Sequence, residues 1–182
     1  MYNLPTSLKI NNHNYDIRSD FRAVLDIITA LNDIELNNYE KSQIVLDILY
    51  LADIKKSDTE EALKQAMIFI NLGKEDSDIK PKPVLMDWEQ DFPIIISPIN
   101  RVLGYECRSK EYVHWWTFIG AYFEIGEGVF SNVVNIRNKK AKRKKLEPHE
   151  REFAKENPDL VLLQKKKTKE EQELIDKIMT PK

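Results

Sequence analysis

From Phe21 to Ile136 the apolar side chains return every three or four positions, and this helical period constrains the fold more than any other feature of the chain. Phe21, Val24, Leu25, Ile28 and Leu31 fall on one face of a first helix, which Ser19 or Asp20 can cap. Asn37 and Glu40 have capping-box spacing ahead of a second stripe, Ile44, Val45, Ile48, Leu49 and Ala52. Ser57 and Glu60 repeat that spacing ahead of Leu63, Ala66, Met67 and Ile70, and Gly73 supplies a stop. Three amphipathic helices joined by short loops must bury their stripes against one another, which is how a small antiparallel bundle is written in sequence.

The rest of the chain elaborates this plan. Ahead of the first helix, Leu8 and Ile10 alternate with Lys9, and Tyr15 and Ile17 alternate with Asp16, about the turn-prone Asn11-Asn12-His13-Asn14, which predicts a hairpin. Residues 74–86, with Pro81 and Pro83, predict an extended linker. Asp87 can cap a turn through Gln90, after which Pro93 and Pro98 are expected to interrupt or kink the helix carrying Ile94, Ile95, Ile96, Ile99 and Leu103, ending near Gly104. From Ser109 a further helix carries Tyr112, Trp115, Trp116, Ile119 and Phe123 on one stripe and Phe118, Tyr122 and Ile125 on another, so it is expected at the centre of the core. Gly126 and Gly128 break it, and Val129, Phe130, Val133, Val134 and Ile136 continue as a shorter helix. The expected fold is mainly α, a helical bundle preceded by a short N-terminal β-hairpin.

Charge divides the chain. Residues 1–136 hold 13 Lys and Arg against 21 Asp and Glu, whereas residues 137–182 hold 15 against 9. The change falls where Val134-Asn135-Ile136 gives way to Arg137-Asn138-Lys139-Lys140-Ala141-Lys142-Arg143-Lys144-Lys145, so a boundary is expected there, between a body at 1–136 and a basic, partly helical C-terminal extension at 137–182. In the extension Pro148 can open a helix, and Thr168 with Glu171 can box another before Leu174, Ile175 and Ile178. Between them Leu160-Val161-Leu162-Leu163 is an apolar island in charged surroundings, expected to dock on the body or on a partner.

Several kinds of chemistry lack their residues. No run of 18 uncharged apolar residues occurs, and Met1-Tyr2-Asn3-Leu4-Pro5 has no signal-peptide pattern, so a soluble, intracellular protein is expected. A lone Cys107 excludes an internal disulfide, and His13, His114 and His149 have no zinc-ligand spacing. Gly73, Gly104, Gly120, Gly126 and Gly128 never approach a phosphate-loop pattern. No catalytic residue, cofactor or metal is expected. His114, beside Trp115 and Trp116, is the one position where a tuned base is conceivable, against a structural histidine at the core edge. The cations of 137–145 adhere to phosphate backbones by counterion release, or to an acidic protein surface, but contain no aromatic for base stacking.

Three segments carry a resemblance. Tyr15-Asp16-Ile17-Arg18-Ser19-Asp20-Phe21-Arg22, His114-Trp115-Trp116-Thr117-Phe118, and Val134-Asn135-Ile136-Arg137 running into lysines, in that order and with Asp87-Trp88 between, resemble the phage "gene product fifteen" family of siphophages and prophages of Gram-positive bacteria. Genes of that family usually lie between those of the tail-tube and tape-measure proteins. The resemblance therefore implies a tail-assembly role in the host cytoplasm, outside the mature virion, as a non-enzymatic chaperone of the tape-measure protein. Candidate partner-binding residues are Tyr112, Trp116 and Phe123, if one aromatic stripe is left uncovered, and Leu160, Leu162 and Leu163 of the island. The alternative is a nucleic-acid-associated phage protein acting through 137–145.

Overall fold

The chain enters as an antiparallel hairpin of β1 (Ser7–Ile10) and β2 (His13–Asp16) in the computed structural model, which describes residues 3–75 and 83–164. Leu8 pairs with Tyr15 and Ile10 with His13, so the turn is Asn11-Asn12 alone, with Asn11 at φ 51° in the left-handed region that asparagine tolerates. The Asn11 amide donates to Asp58 Oδ1 at 3.0 Å, and Ile10 and Tyr15 enter the core.

Three helices follow: α1 (Phe21–Leu31), α2 (Asn38–Leu49) and α3 (Thr59–Ile70). Asp20 caps α1 through the Arg22 amide, and Asn37 and Glu40 form the expected box on α2. The box expected at Ser57 and Glu60 does not form. A 3-10 turn, Lys56–Asp58, precedes α3, and the Asp58 carboxylate accepts instead from Asn11, Tyr15 and Ser57. The Asn11 hydrogen bond, foremost among these, holds the Asp58 carboxyl below its ordinary pKa. Helix α3 thus gives up its side-chain cap to a contact with the hairpin.

Helix α4 (Trp88–Leu103) corrects the expectation of a break, because Pro93 and Pro98 both lie inside one continuous helix. Each removes an N–H, yet Pro93 is exposed and Pro98 half-buried, so neither ring interrupts the buried stripe of Ile95, Ile96 and Ile99. Asp87 caps the helix through the amides of Glu89 and Gln90, and Gly104, at φ 75°, ends it. A 3-10 turn, Cys107–Ser109, leads to α5 (Trp115–Phe123), which starts six residues later than its apolar stripe implied. Phe118 of α5 stacks on Phe21 of α1, ring centroids 4.3 Å apart, at the centre of the core.

Helix α6 (Val129–Ala141) runs through the charge switch without interruption, so the boundary expected at Arg137 is no break in the fold. Arg137 sits on the buried face of α6 with Phe130, Val133 and Ile136. Its guanidinium forks onto Asp91 of α4 at 2.6 and 2.9 Å, the two side chains being 4% and 1% exposed. It also donates to the carbonyls of Leu85, Leu160 and Val161. Those last two belong to α8 (Pro158–Val161), which follows α7 (Pro148–Glu156), and Val161 is buried. Gln90 fastens the same segment, donating to the carbonyls of Asp159 and Leu162 and accepting from the Gln164 amide. A second buried carboxylate, Glu150 of α7, accepts from Lys139 at 2.7 Å, from Asn135 and from the Glu147 amide, and the lysine contact holds its pKa down. The island 160–163 therefore docks on the body. Thr168 to Ile178, and residues 76–82 of the expected linker, lie outside the described residues.

Two outcomes follow from these buried charges. Arg137→Met strands the Asp91 carboxylate and should lower unfolding stability by about 3–5 kcal/mol, whereas Lys140→Ala on the exposed face should change it by less than about 0.5 kcal/mol in chemical denaturation. Because the folded state lowers the Glu150 pKa, its contribution is present above the ordinary value of 4.5 and is lost as pH falls through the lowered one. Thermal melts from pH 6 down to pH 3 should therefore show a smaller acid loss for Glu150→Gln than for the wild type.

Candidate functional site

The segments 15–22 and 114–118, remote in sequence, meet at the centre of the molecule. Ile17 bridges to Tyr50 and Asp20 to His114, the Trp115 amide donates to the Ser19 carbonyl at 2.7 Å, and the Phe21 amide donates to that of Val113. Arg18 donates to the carbonyls of Asp47, Ile48 and Tyr50, a cation placed on the C-terminal end of α2. Arg22 pairs with Asp20 at 3.0 Å and reaches the carbonyls of Cys107, Arg108 and Lys110. Asp20 Oδ2 accepts from the Val113 amide. One arginine thus holds α2 and the other holds the loop that delivers α5.

His114 is buried and caps α5. Its Nδ1 accepts from the Trp116 amide at 3.0 Å, so the proton lies on Nε2, which donates to the Pro5 carbonyl at 2.9 Å. Both nitrogens are engaged in tying the N-terminal segment to the core. Cys107 is buried, and burial pushes its thiol pKa up, away from the thiolate a nucleophile needs. Among the described residues no three His, Cys, Asp or Glu side chains converge as a metal-ligand set, and no helix is long and apolar enough to cross a membrane.

The candidate partner residues separate into different environments. The Trp115 and Trp116 indoles donate to the Ile70 and Phe69 carbonyls, both at 2.9 Å, and so cap the last turn of α3. Trp116 also faces Gly73, whose φ of 80° is unsuited to other residues and lets the chain turn beneath the ring. The half-buried ring stacks on Phe69, centroids 6.1 Å apart. Tyr112 lies before α5, outside the helix, with its hydroxyl 2.8 Å from Ser19 Oγ, so Tyr112, Trp116 and Phe123 do not form the expected single stripe. Phe123 stands out from the helix, 63% exposed, and Tyr112, although hydrogen-bonded through its hydroxyl, is 52% exposed. In the island, Leu160 and Leu163 are half-buried and Leu162 is 58% exposed.

Grooves open beside these residues. One of about 610 Å³ lies between α1 and α2, with Ala23, Ile48, Leu51 and Tyr112 in its lining and Asp26 and Asp47 beside them. Another, of about 350 Å³, is lined by Tyr122, Phe123, Ile125, Phe130 and Val134 where α5 turns into α6. A third, of about 310 Å³, shares Ile125 and Phe130 with it and continues along Pro93, Ile94 and Pro98 of α4. The basic segment is smaller than its sequence implies, since Arg137 and Lys139 are engaged by Asp91 and Glu150. Lys140, Lys142, Arg143, Lys144 and Lys145 remain exposed. Sequence reasoning missed Asp91, Gln90, Arg18 and Glu150 as organising groups, although Asp91 shares a helical stripe with Ile95 and Ile99, an unusual place for a solvated acid.

If His114 acts as a cap, His114→Asn, which keeps a short acceptor, should cost less stability than His114→Ala. The latter should cost about 1–2 kcal/mol in thermal or urea unfolding, with Trp116→Ala costing more because it leaves a cavity and orphans a carbonyl of α3.

No curated protein and no solved structure matches the chain. A family model described as "Bacteriophage Gp15 protein" matches residues 1–163, a span that carries the junction of 15–22 with 114–118 and continues past the charge switch to the end of the docked island. By that match the chain belongs to the bacteriophage Gp15 protein family.

Proposed function

We propose that this phage protein serves tail assembly as a non-catalytic chaperone of the tape-measure protein, acting in the host cytoplasm and staying out of the mature virion. The observation that carries the reading is Phe123. Helix α5 is buried along Trp115, Phe118 and Ile119, yet it ends in an exposed ring beside a groove lined by Tyr122, Ile125 and Phe130. An apolar stripe of a long helical protein aggregates unless covered, and an aromatic ring at a groove mouth anchors such a helix at little entropic cost. Val129, exposed at the start of α6, extends the same apolar face, and Leu162 offers a second exposed contact. The exposed cations from Lys140 to Lys145 support at most salt-sensitive adhesion to nucleic acid, with no aromatic to stack on a base.

Capture of purified tape-measure fragments tests this. Full-length protein should retain a helical fragment, and Phe123→Asp should weaken retention about tenfold or more while leaving the melting temperature unchanged. Leu162→Asp should weaken it less. Failure of the wild type to capture any fragment, or undiminished capture by Phe123→Asp, contradicts the reading.

A further inference from the structure

We propose that the groove between α4 and the start of α6 is the docking site of this chain's own segment from Thr168 to Ile178, which lies outside the described residues. Gln164, the last described residue, is pinned beside that groove. Its amide donates to Gln90 Oε1 at 2.9 Å, and Gln90 also holds the carbonyls of Asp159 and Leu162, so the chain is fastened to the first turn of α4. From Gln90, the residues Ile94, Ser97 and Arg101 follow at helical spacing on one face of α4, the side opposite the buried Ile99. All three line the groove of about 310 Å³, with Pro93 and Pro98 beside them.

The groove is mainly apolar. Arg101 and Glu127 are the charged residues in its lining, one of each sign, so charge does not select the occupant. Reach and pattern do. Thr168 is four residues beyond Gln164, at most about 14 Å of chain, and the groove begins at Pro93, about 5 Å along the helix from Gln90. Thr168 and Glu171 have capping-box spacing ahead of Leu174, Ile175 and Ile178, a narrow apolar stripe that cannot bury itself within its own segment. As a helix, Thr168 to Ile178 measures about 16 Å, against about 12 Å of α4 from Pro93 to Arg101. So short a tether holds the segment at an effective concentration of order millimolar, at which one narrow stripe suffices for docking. The contact continues along α4 the docking that Gln90 begins with residues 159–164. Ile125 and Phe130 line this groove and the one beside Phe123, so the docked segment borders the proposed partner surface. The inference stands without the tape-measure reading.

Disulfide trapping in the full chain tests it. S97C, at an exposed position of the groove, is combined in turn with L174C, I175C or I178C on the stripe, and with E173C or D176C on the opposite side of the same helical period. Cys107 is buried and stays out of the reaction. Under mild oxidation of dilute protein, the stripe pairs should close an internal disulfide about tenfold faster than the E173C and D176C pairs. Trypsin gives a second reading without engineered cysteines. L174S/I178S should speed cleavage after Lys169 about tenfold over the wild type, because docking shields that bond only while the stripe holds. Equal rates for all the cysteine pairs, disulfides that form only between copies, or cleavage after Lys169 unchanged by L174S/I178S overturns the proposal.

Discussion

The ion pair between Asp91 and Arg137 joins parts of the molecule that composition alone would separate. A carboxylate and a guanidinium buried together are only weakly stabilising relative to a well-packed apolar pair, but each makes the other indispensable. Here the fork sits between α4 and α6, and the remaining donors of the same guanidinium reach Leu85 on one side and the carbonyls of Leu160 and Val161 on the other. One side chain therefore sets the path of the chain before α4, the packing of α6 and the docking of α8. Gln90, one position before Asp91, holds the far end of that docked segment.

The second organising device is the junction of segments 15–22 and 114–118. There the N-terminal hairpin, α1 and α5 are joined by backbone bridges and by side chains aimed at carbonyls: Arg18, Arg22, His114, Trp115 and Trp116 all end on backbone groups. These polar side chains satisfy helix ends and loop carbonyls, which accounts for why histidine and tryptophan cluster here. The proposed partner contact lies on the exterior instead, at Phe123 and Val129 at the turn from α5 to α6, both exposed.

Much of this was legible in the sequence. The helical period located α1, α2 and α3, and the Asn37 box and the Asp20 cap are where side-chain chemistry demands them. What escaped depends on contacts between elements. Pro93 and Pro98 argued locally for a break, but the gain from burying Ile95, Ile96 and Ile99 on one continuous helix outweighs the missing donors at an outer face. Ser57 and Glu60 have the right spacing for a box, and Asp58 is drawn to the hairpin instead. The run of cations suggested a solvated extension, yet Arg137 occupies the position in the α6 stripe that continues Phe130 and Val133, as Asp91 does in that of Ile95 and Ile99. Counting charge along the chain concealed what the helical period, applied to the charged residues as well, would have exposed. Of the partner candidates, only Phe123 and Leu162 are both apolar and prominently exposed without a described polar anchor on the side chain, because a neighbour's hydroxyl or carbonyl had already claimed Tyr112 and Trp116.

Native-state hydrogen exchange in rising denaturant tests most directly whether Arg137 makes one unit of the two electrostatic halves. The amides of Asn157, Val161 and Leu162, which bond within α7 and α8, should merge with that of Gly104 at the end of α4 into a single opening reaction. Exchange of the α7 and α8 amides through a separate, much less costly opening, while α4 and α5 stay protected, would show that the C-terminal segment is an independent appendage and that the buried pair does not hold the fold together.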